Sequence, residues 1–405
     1  MSNASTESNQ GSRGSAEDRP RRDEPEGVVP LPEVAPNEHT YIEDANSLVE
    51  FLKGFGDPAE CVCAVDTEAD SLHSFEEKLC LIQFGCRGQF ALIDPLTMSP
   101  EDMTPLIDFI EVAKVWMHGA DFDMTMLRRT FGRVPELIYD TQTAARLIGL
   151  RQFGFANLVG HYYEIKLSKQ SQKADWGKRP LSDKMLEYAV NDVRYLLPIA
   201  EVLESHVAAL GRTDWFVESC INARTTVLGR TGKDPDQVWR IQGWGKLQRR
   251  ALNYLRAVWH WRDDEARRRD RPPFKIMNNE LIMTIVDKLD TGGKPPLPAR
   301  FPRPVIERFW KAIRRAEALG EDEWPEIPKR ERRRKDPRAD ARFSRLKNHR
   351  DRVAEELGID PTLIAPKATL EQLAANPNEE KADELFMRWQ RELMEKPIAV
   401  LLADK

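Results

Sequence analysis

At 405 residues the chain is too long for one compact core, and two or three domains are expected. Hydrophobic residues make up 41% and charged residues 31%, and no apolar run approaches the roughly 20 residues that span a bilayer, so no membrane partner is expected. The net charge of −5 argues against a nucleic-acid partner only if charge is spread evenly, and the five cysteines are too few and odd in number for a disulfide framework.

Residues 1–38 are rich in Ser, Asn, Gly, Glu, Arg and Pro and hold hardly an aliphatic before Val28. Such a segment buries too little surface to offset its ordering entropy, so a disordered tail is predicted. It lacks the basic start and apolar stretch of a secretory signal, and a cytoplasmic location is expected. Folding should begin near Tyr41, with a helix over residues 46–54. Cys61-Val62-Cys63-Ala64-Val65 then reads as a buried strand, its cysteines small core residues on alternate positions rather than half of a zinc site. Strands over residues 79–84 and 90–94, with short connections, complete an antiparallel meander. Helix near 101–112, strand 114–117, helix 122–131 and strand 137–140 follow, an alternation that implies a mixed sheet covered by helices. A long helical stretch over residues 182–210, bent at Pro198, closes this domain.

Acidic residues stand out at three places along it. Asp66 and Glu68 lie two apart on a strand, so both carboxylates face one side. His118-Gly119-Ala120-Asp121-Phe122-Asp123 is a strand end turning into a helix, with Asp121 and Asp123 both candidates for a third carboxylate. An Asp there also suits the helix dipole or a cap without further purpose. Tyr188 and Asp192 are spaced i, i+4 and project from one helix face, at the edge of the stripe Leu186, Ala189, Val193, Leu196 and Leu197. Four converging carboxylates repel one another without cations. An all-oxygen set of this kind suits Mg²⁺ or Mn²⁺, and two such ions serve in-line phosphoryl displacement.

Beyond about residue 223 strand signals vanish and helical patterns remain. Arg262, Asp263, Ala266, Pro273 and Ile276 recur as Arg350, Asp351, Ala354, Pro361 and Ile364, each 88 positions on. An ungapped register through a proline turn predicts two copies of one small helical domain. Residues 246–275 hold ten Lys and Arg against four Asp and Glu, a balance of +6. Residues 329–352 hold twelve against four, a balance of +8, so the basic charge sits in this half. Trp244, Trp259 and Trp261 lie among Arg249, Arg250, Arg256 and Arg262, a mixture that serves either helix packing or base stacking with phosphate contact.

Asp66-Thr67-Glu68, the 118–123 segment and Tyr188-Ala189-Val190-Asn191-Asp192 together resemble the three motifs of the DEDD exonuclease superfamily, tyrosine branch. Asp175-Trp176-Gly177-Lys178-Arg179-Pro180 resembles the ribonuclease D family in particular, and the helical pair resembles HRDC domains. The resemblance implies an α/β, RNase H-like exonuclease domain over residues 39–222, followed by all-α HRDC-like domains over 236–320 and 339–405 with a basic linker at 321–338. It implies a metal-dependent 3′–5′ exoribonuclease acting on RNA with a free 3′ end, tRNA precursors among its substrates, and releasing nucleoside 5′-monophosphates. It favours Asp123 over Asp121, makes Asp66, Glu68, Asp123 and Asp192 the ligands of two divalent cations, Mg²⁺ or Mn²⁺, and gives Tyr188 the attacking water to orient. His118 would support the strand turn, while Lys173, Trp176 and Arg179 would be strand contacts, Trp176 being equally open to a place in the core. Two other readings stand beside this one: a DNA 3′–5′ exonuclease, and a non-catalytic nucleic-acid-binding adaptor.

Overall fold

The computed structural model describes residues 31–232, 234–327 and 336–403. The tail expected over 1–38 lies outside the described residues for its first 30 positions, as do residues 328–335 of the linker. Residues 32–37 depart from that expectation, because they are packed in place. Pro32 O accepts from the Tyr163 hydroxyl at 3.1 Å, and Ala35 O accepts from Arg194 Nε at 2.6 Å.

The chain enters the sheet through β1 (Thr40–Ile42) and turns into α1 (Ala45–Lys53), whose first amides are capped by the Asp44 carboxylate. The meander is β2 (Val62–Ala69), β3 (Leu79–Cys86) and β4 (Gln89–Ile93), all antiparallel neighbours. Then come α2 (Thr104–Val112), β5 (Lys114–Met117), α3 (Asp121–Phe131) and β6 (Leu137–Asp140). The sheet order is β1-β4-β3-β2-β5-β6, with β1, β5 and β6 joined parallel. All eight residues of β3 are buried, as befits a central strand covered on both faces.

Alternation on β2 divides the core. Cys63 and Val65 belong to the face under α1, α2 and α3. Ala64 belongs to the opposite face, covered by α4 (Thr141–Leu147), α5 (Phe155–Tyr163), α6 (Asp183–Arg194) and α7 (Leu196–Ala209). The expected bend at Pro198 is instead a break at Tyr195, between α6 and α7. Pro198 sits in the first turn of α7, where a missing N–H leaves no hydrogen bond unmade. Next, α8 (Thr213–Gly229) runs through the boundary expected at 222 and buries Phe216, Cys220 and Val227 against the sheet domain.

The two helical copies obey the 88-residue register. The first is α9 (Arg249–Arg268), α10 (Pro273–Ile276), α11 (Asn279–Asp290) and α12 (Arg303–Glu317). The second is α13 (Pro337–Leu357), α14 (Pro361–Ile364), α15 (Lys367–Ala375), α16 (Glu379–Leu385), α17 (Arg388–Leu393) and α18 (Glu395–Ala403). The repeated arginines explain part of the repeat. Buried Arg262 donates to Met277 O at 3.2 Å, and Arg350 donates to Ala365 O at 2.8 Å, 88 positions on in both partners.

Candidate active site

β2 pairs with β5 only over Val62, Cys63 and Ala64, after which its β5 side is free of ladder partners. Asp66 and Glu68 follow on that stretch, inside the strand rather than at its end. Across β2, α6 lays Tyr188 and Asp192 over the same face, one helical turn apart. Oxygens of Asp66, Glu68 and Asp192 lie within 4.8 Å of one another. Asp123, in the first turn of α3, is buried and takes a 2.6 Å hydrogen bond from the Thr67 hydroxyl. All four carboxylates line one cleft of about 760 Å³.

Asp121 is elsewhere. Its side chain is 62% exposed and paired with Arg230 at 2.5 Å. The half turn between Asp121 and Asp123 therefore separates a surface ion pair from a cleft carboxylate.

Burial pushes the Asp66 carboxyl well above the usual range, and the charges of Asp123, Asp192 and Glu68 add to it. Glu68 is likewise raised by burial first and by Asp192 and Asp123 next, and Asp192 by burial, against a hydrogen bond from Tyr188, with the Asp123 charge adding. Asp123 is raised by burial, against the opposing hydrogen bond from Thr67. This much uncompensated acidity on oxygen donors alone is what a pair of hard divalent cations would relieve, so the residues present fit such ions. Tyr188 shares a hydrogen bond with Asp192, and burial followed by three carboxylates lifts its pKa above the ordinary phenol value.

His118 supports the turn as expected: its Nδ1 lies 2.9 Å from Thr141 Oγ1 and its ring rests against Phe155. Gly119, at φ +70, leads from that turn into α3, and its N–H donates to Asp140 at 2.8 Å.

Two of the expected strand contacts are corrected. Trp176 is 1% exposed and packed in the core behind Tyr188. Arg179 donates to both oxygens of buried Asp94 and to the carbonyls of Cys80, Trp176 and Lys178, so its donors are occupied. Lys173 is exposed but lies outside the cleft lining, its carbonyl near His73. The cations that do line the cleft include Lys166, Lys169 and Lys184, exposed and without an ion pair among the described residues. The polar run Lys166-Leu167-Ser168-Lys169 was the sequence signal for two of them. Among the aromatics of α9, Trp261 and Arg262 are internal, and Arg249 and Arg256 bond to carbonyls at residues 321–325. Packing, rather than base stacking, accounts for those four.

A 3′–5′ exonuclease family model matches residues 39–208, and an HRDC domain model matches residues 251–292. The ribonuclease D of Xanthomonas oryzae pv. oryzae is 30% identical over 354 residues, covering 84% of this chain and 92% of that protein. The ribonuclease D of Cronobacter turicensis is 31% identical over 276 residues, covering 65% and 72%. The crystal structure of Escherichia coli RNase D, described as an exoribonuclease involved in structured RNA processing, superposes with a TM-score of 0.67 at 25% identity. That match covers 91% of this chain and 99% of the other. Four cleft carboxylates on an exonuclease sheet and a tandem helical tail thus coincide with full-length likeness, and the chain belongs to the ribonuclease D family of 3′–5′ exoribonucleases.

Proposed function

We propose that this chain trims the free 3′ ends of small structured RNAs, tRNA precursors among them, by hydrolysis that releases nucleoside 5′-monophosphates one at a time. The observation that carries this reading is the convergence of Asp66, Glu68 and Asp192 within 4.8 Å, with Asp123 in the same cleft. These four carboxylates would hold two divalent cations, Mg²⁺ or Mn²⁺. Asp66 would serve both ions, Glu68 and Asp192 would help to hold the first, and Asp123 would hold the second. When bound, such ions make water acidic enough to attack and offset charge on the leaving oxygen.

The remaining work belongs to the chain. Tyr188, which keeps its proton, directs the attacking water through its hydroxyl rather than acting as a full base. Thr67 keeps Asp123 turned into the cleft. Lys166, Lys169 and Lys184 meet the phosphates of the incoming strand. The helical units over residues 236–320 and 339–405 hold the body of the RNA while the 39–222 unit trims its end.

The test is degradation of 5′-labelled single strands of RNA and DNA with Mg²⁺ or Mn²⁺, beside an Asp66→Asn control. Laddering from the 3′ end of RNA, absent in the control, is expected. Preference for DNA overturns the substrate, and binding without degradation under both metals overturns the catalytic assignment.

A further inference from the structure

Gln83 stands in the middle of β3 and is 0% exposed. Neither its Nε2 nor its Oε1 has a hydrogen-bond partner among the described residues. Buried polar groups in native proteins are nearly always paired, so an orphaned carboxamide asks for a reason.

Its position supplies one. In the antiparallel pairing of β2 with β3, Gln83 lies directly opposite Asp66. Opposed residues share a sheet face, with Cβ atoms about 4.5–5.5 Å apart, which a glutamine side chain can span. Its nearest neighbours along β3 and on β4 are apolar or lack a side chain, and Glu68 is only diagonal to it on β2. Leu92 faces it from β4, and Leu81 and Gly85 flank it along β3. Gly85 marks how closely the wall is packed, since a Cβ there would sit 3.0 Å from the Phe90 ring and 3.5 Å from Val193 of α6. A leucine or methionine would fill the Gln83 position without desolvating an amide. Of the carboxylates on this face, Asp66 is the one directly opposite the amide.

We propose that Gln83 is a positioning residue for Asp66: its Nε2–H, unpartnered among the described residues, would turn to one Asp66 oxygen when a divalent cation binds and leave the other oxygen free for the ion. The proposal rests on the reading of Asp66 as a metal ligand. A donor to the ionised carboxylate favours that form and fixes its orientation, as hydrogen-bond partners commonly do behind metal ligands. A neutral donor is the suitable kind here. A lysine would compete with the cation, and an acid would add to four carboxylates already repelling one another.

The test compares the full-length protein with Gln83→Leu and Gln83→Met, titrating Mn²⁺ by calorimetry and measuring the Tm of the metal-free protein. Mn²⁺ affinity is expected to fall about 10–100-fold in both variants, the range seen when partners behind metal ligands are removed. The metal-free Tm should hold or rise, because an unpaired buried amide has gone. On labelled RNA, kcat should fall while KM is unchanged. Native Mn²⁺ affinity and native kcat in either folded variant overturn the proposal, and so does a lowered metal-free Tm with unchanged Mn²⁺ affinity. Should Gln83→Leu fail to fold, Gln83→Met, which keeps the unbranched chain, decides alone. If the native protein itself binds no Mn²⁺, the metal reading of Asp66 fails, a result distinct from native binding that survives the substitution.

Discussion

Arg179 and Asp94 show how a residue near a catalytic cleft can be committed to structure. Burial alone would raise the Asp94 carboxyl, but hydrogen bonds from Arg179, Tyr41 and the Leu96 amide, with the Arg179 charge, outweigh it and hold the pKa below the usual value. A depressed folded pKa gives stability that is present above the unfolded value, about 3.9, and is lost as pH falls through the folded value. The native protein should therefore lose Tm steeply below about pH 4, and Asp94→Asn should flatten that loss; parallel melts across pH check it. Arg179→Met strands the buried carboxylate and should cost about 3–5 kcal/mol of stability in denaturant titration. At the other contested acid, Asp123→Asn is expected to lower kcat on RNA by at least about 100-fold. Asp121→Asn should leave kcat essentially unchanged, because its exposed carboxylate pairs with Arg230 outside the cleft lining. A steady-state assay of the two variants settles which acid serves the cleft.

At the level of elements, the site draws on β2, α3 and α6, which are far apart in sequence. Period-2 spacing placed Asp66 with Glu68, and i, i+4 spacing placed Tyr188 with Asp192, because such relations are set by local backbone geometry. The break at Tyr195 was not legible, since the apolar pattern runs on through it and Pro198 drew the prediction three residues too far. β1 is three residues long with one buried side chain, too little pattern to read. The lysines of the cleft wall carry their own prediction. Lys166→Ala with Lys169→Ala should weaken RNA binding and shrink the slope of log K against log salt by about 1.4, or ~0.7 per lost phosphate contact on a single strand. Binding measured across a salt series gives that slope directly, and an unchanged slope would remove both lysines from the interface.

Across the whole molecule, the two helical copies meet the exonuclease domain differently. The second is docked through a shared core: Trp215 stacks on Trp389 at 5.0 Å, Glu218 accepts from the Arg388 and Trp389 amides, and Arg212 donates to Leu357 O. The first touches the loop after β2, where the Phe75 amide donates to Asp270 and Arg267 lies over the Phe75 ring. Trp389→Ala should cost about 3–5 kcal/mol and split off a lower-temperature transition in scanning calorimetry, while Asp66-dependent exonuclease activity persists below that transition. By itself the sequence determined the meander, the paired acids and the 88-residue repeat, since each is a local spacing or a self-comparison within the chain. It also carried Trp176, Arg179, Asp121 and Gln83 in plain view without saying what each touches. Only the tertiary structure decided that Trp176 is core, Arg179 is locked to Asp94, Asp121 faces solvent and Gln83 faces Asp66. Those outcomes depend on contacts between distant segments, and no spacing along the chain encodes which partner a side chain will meet.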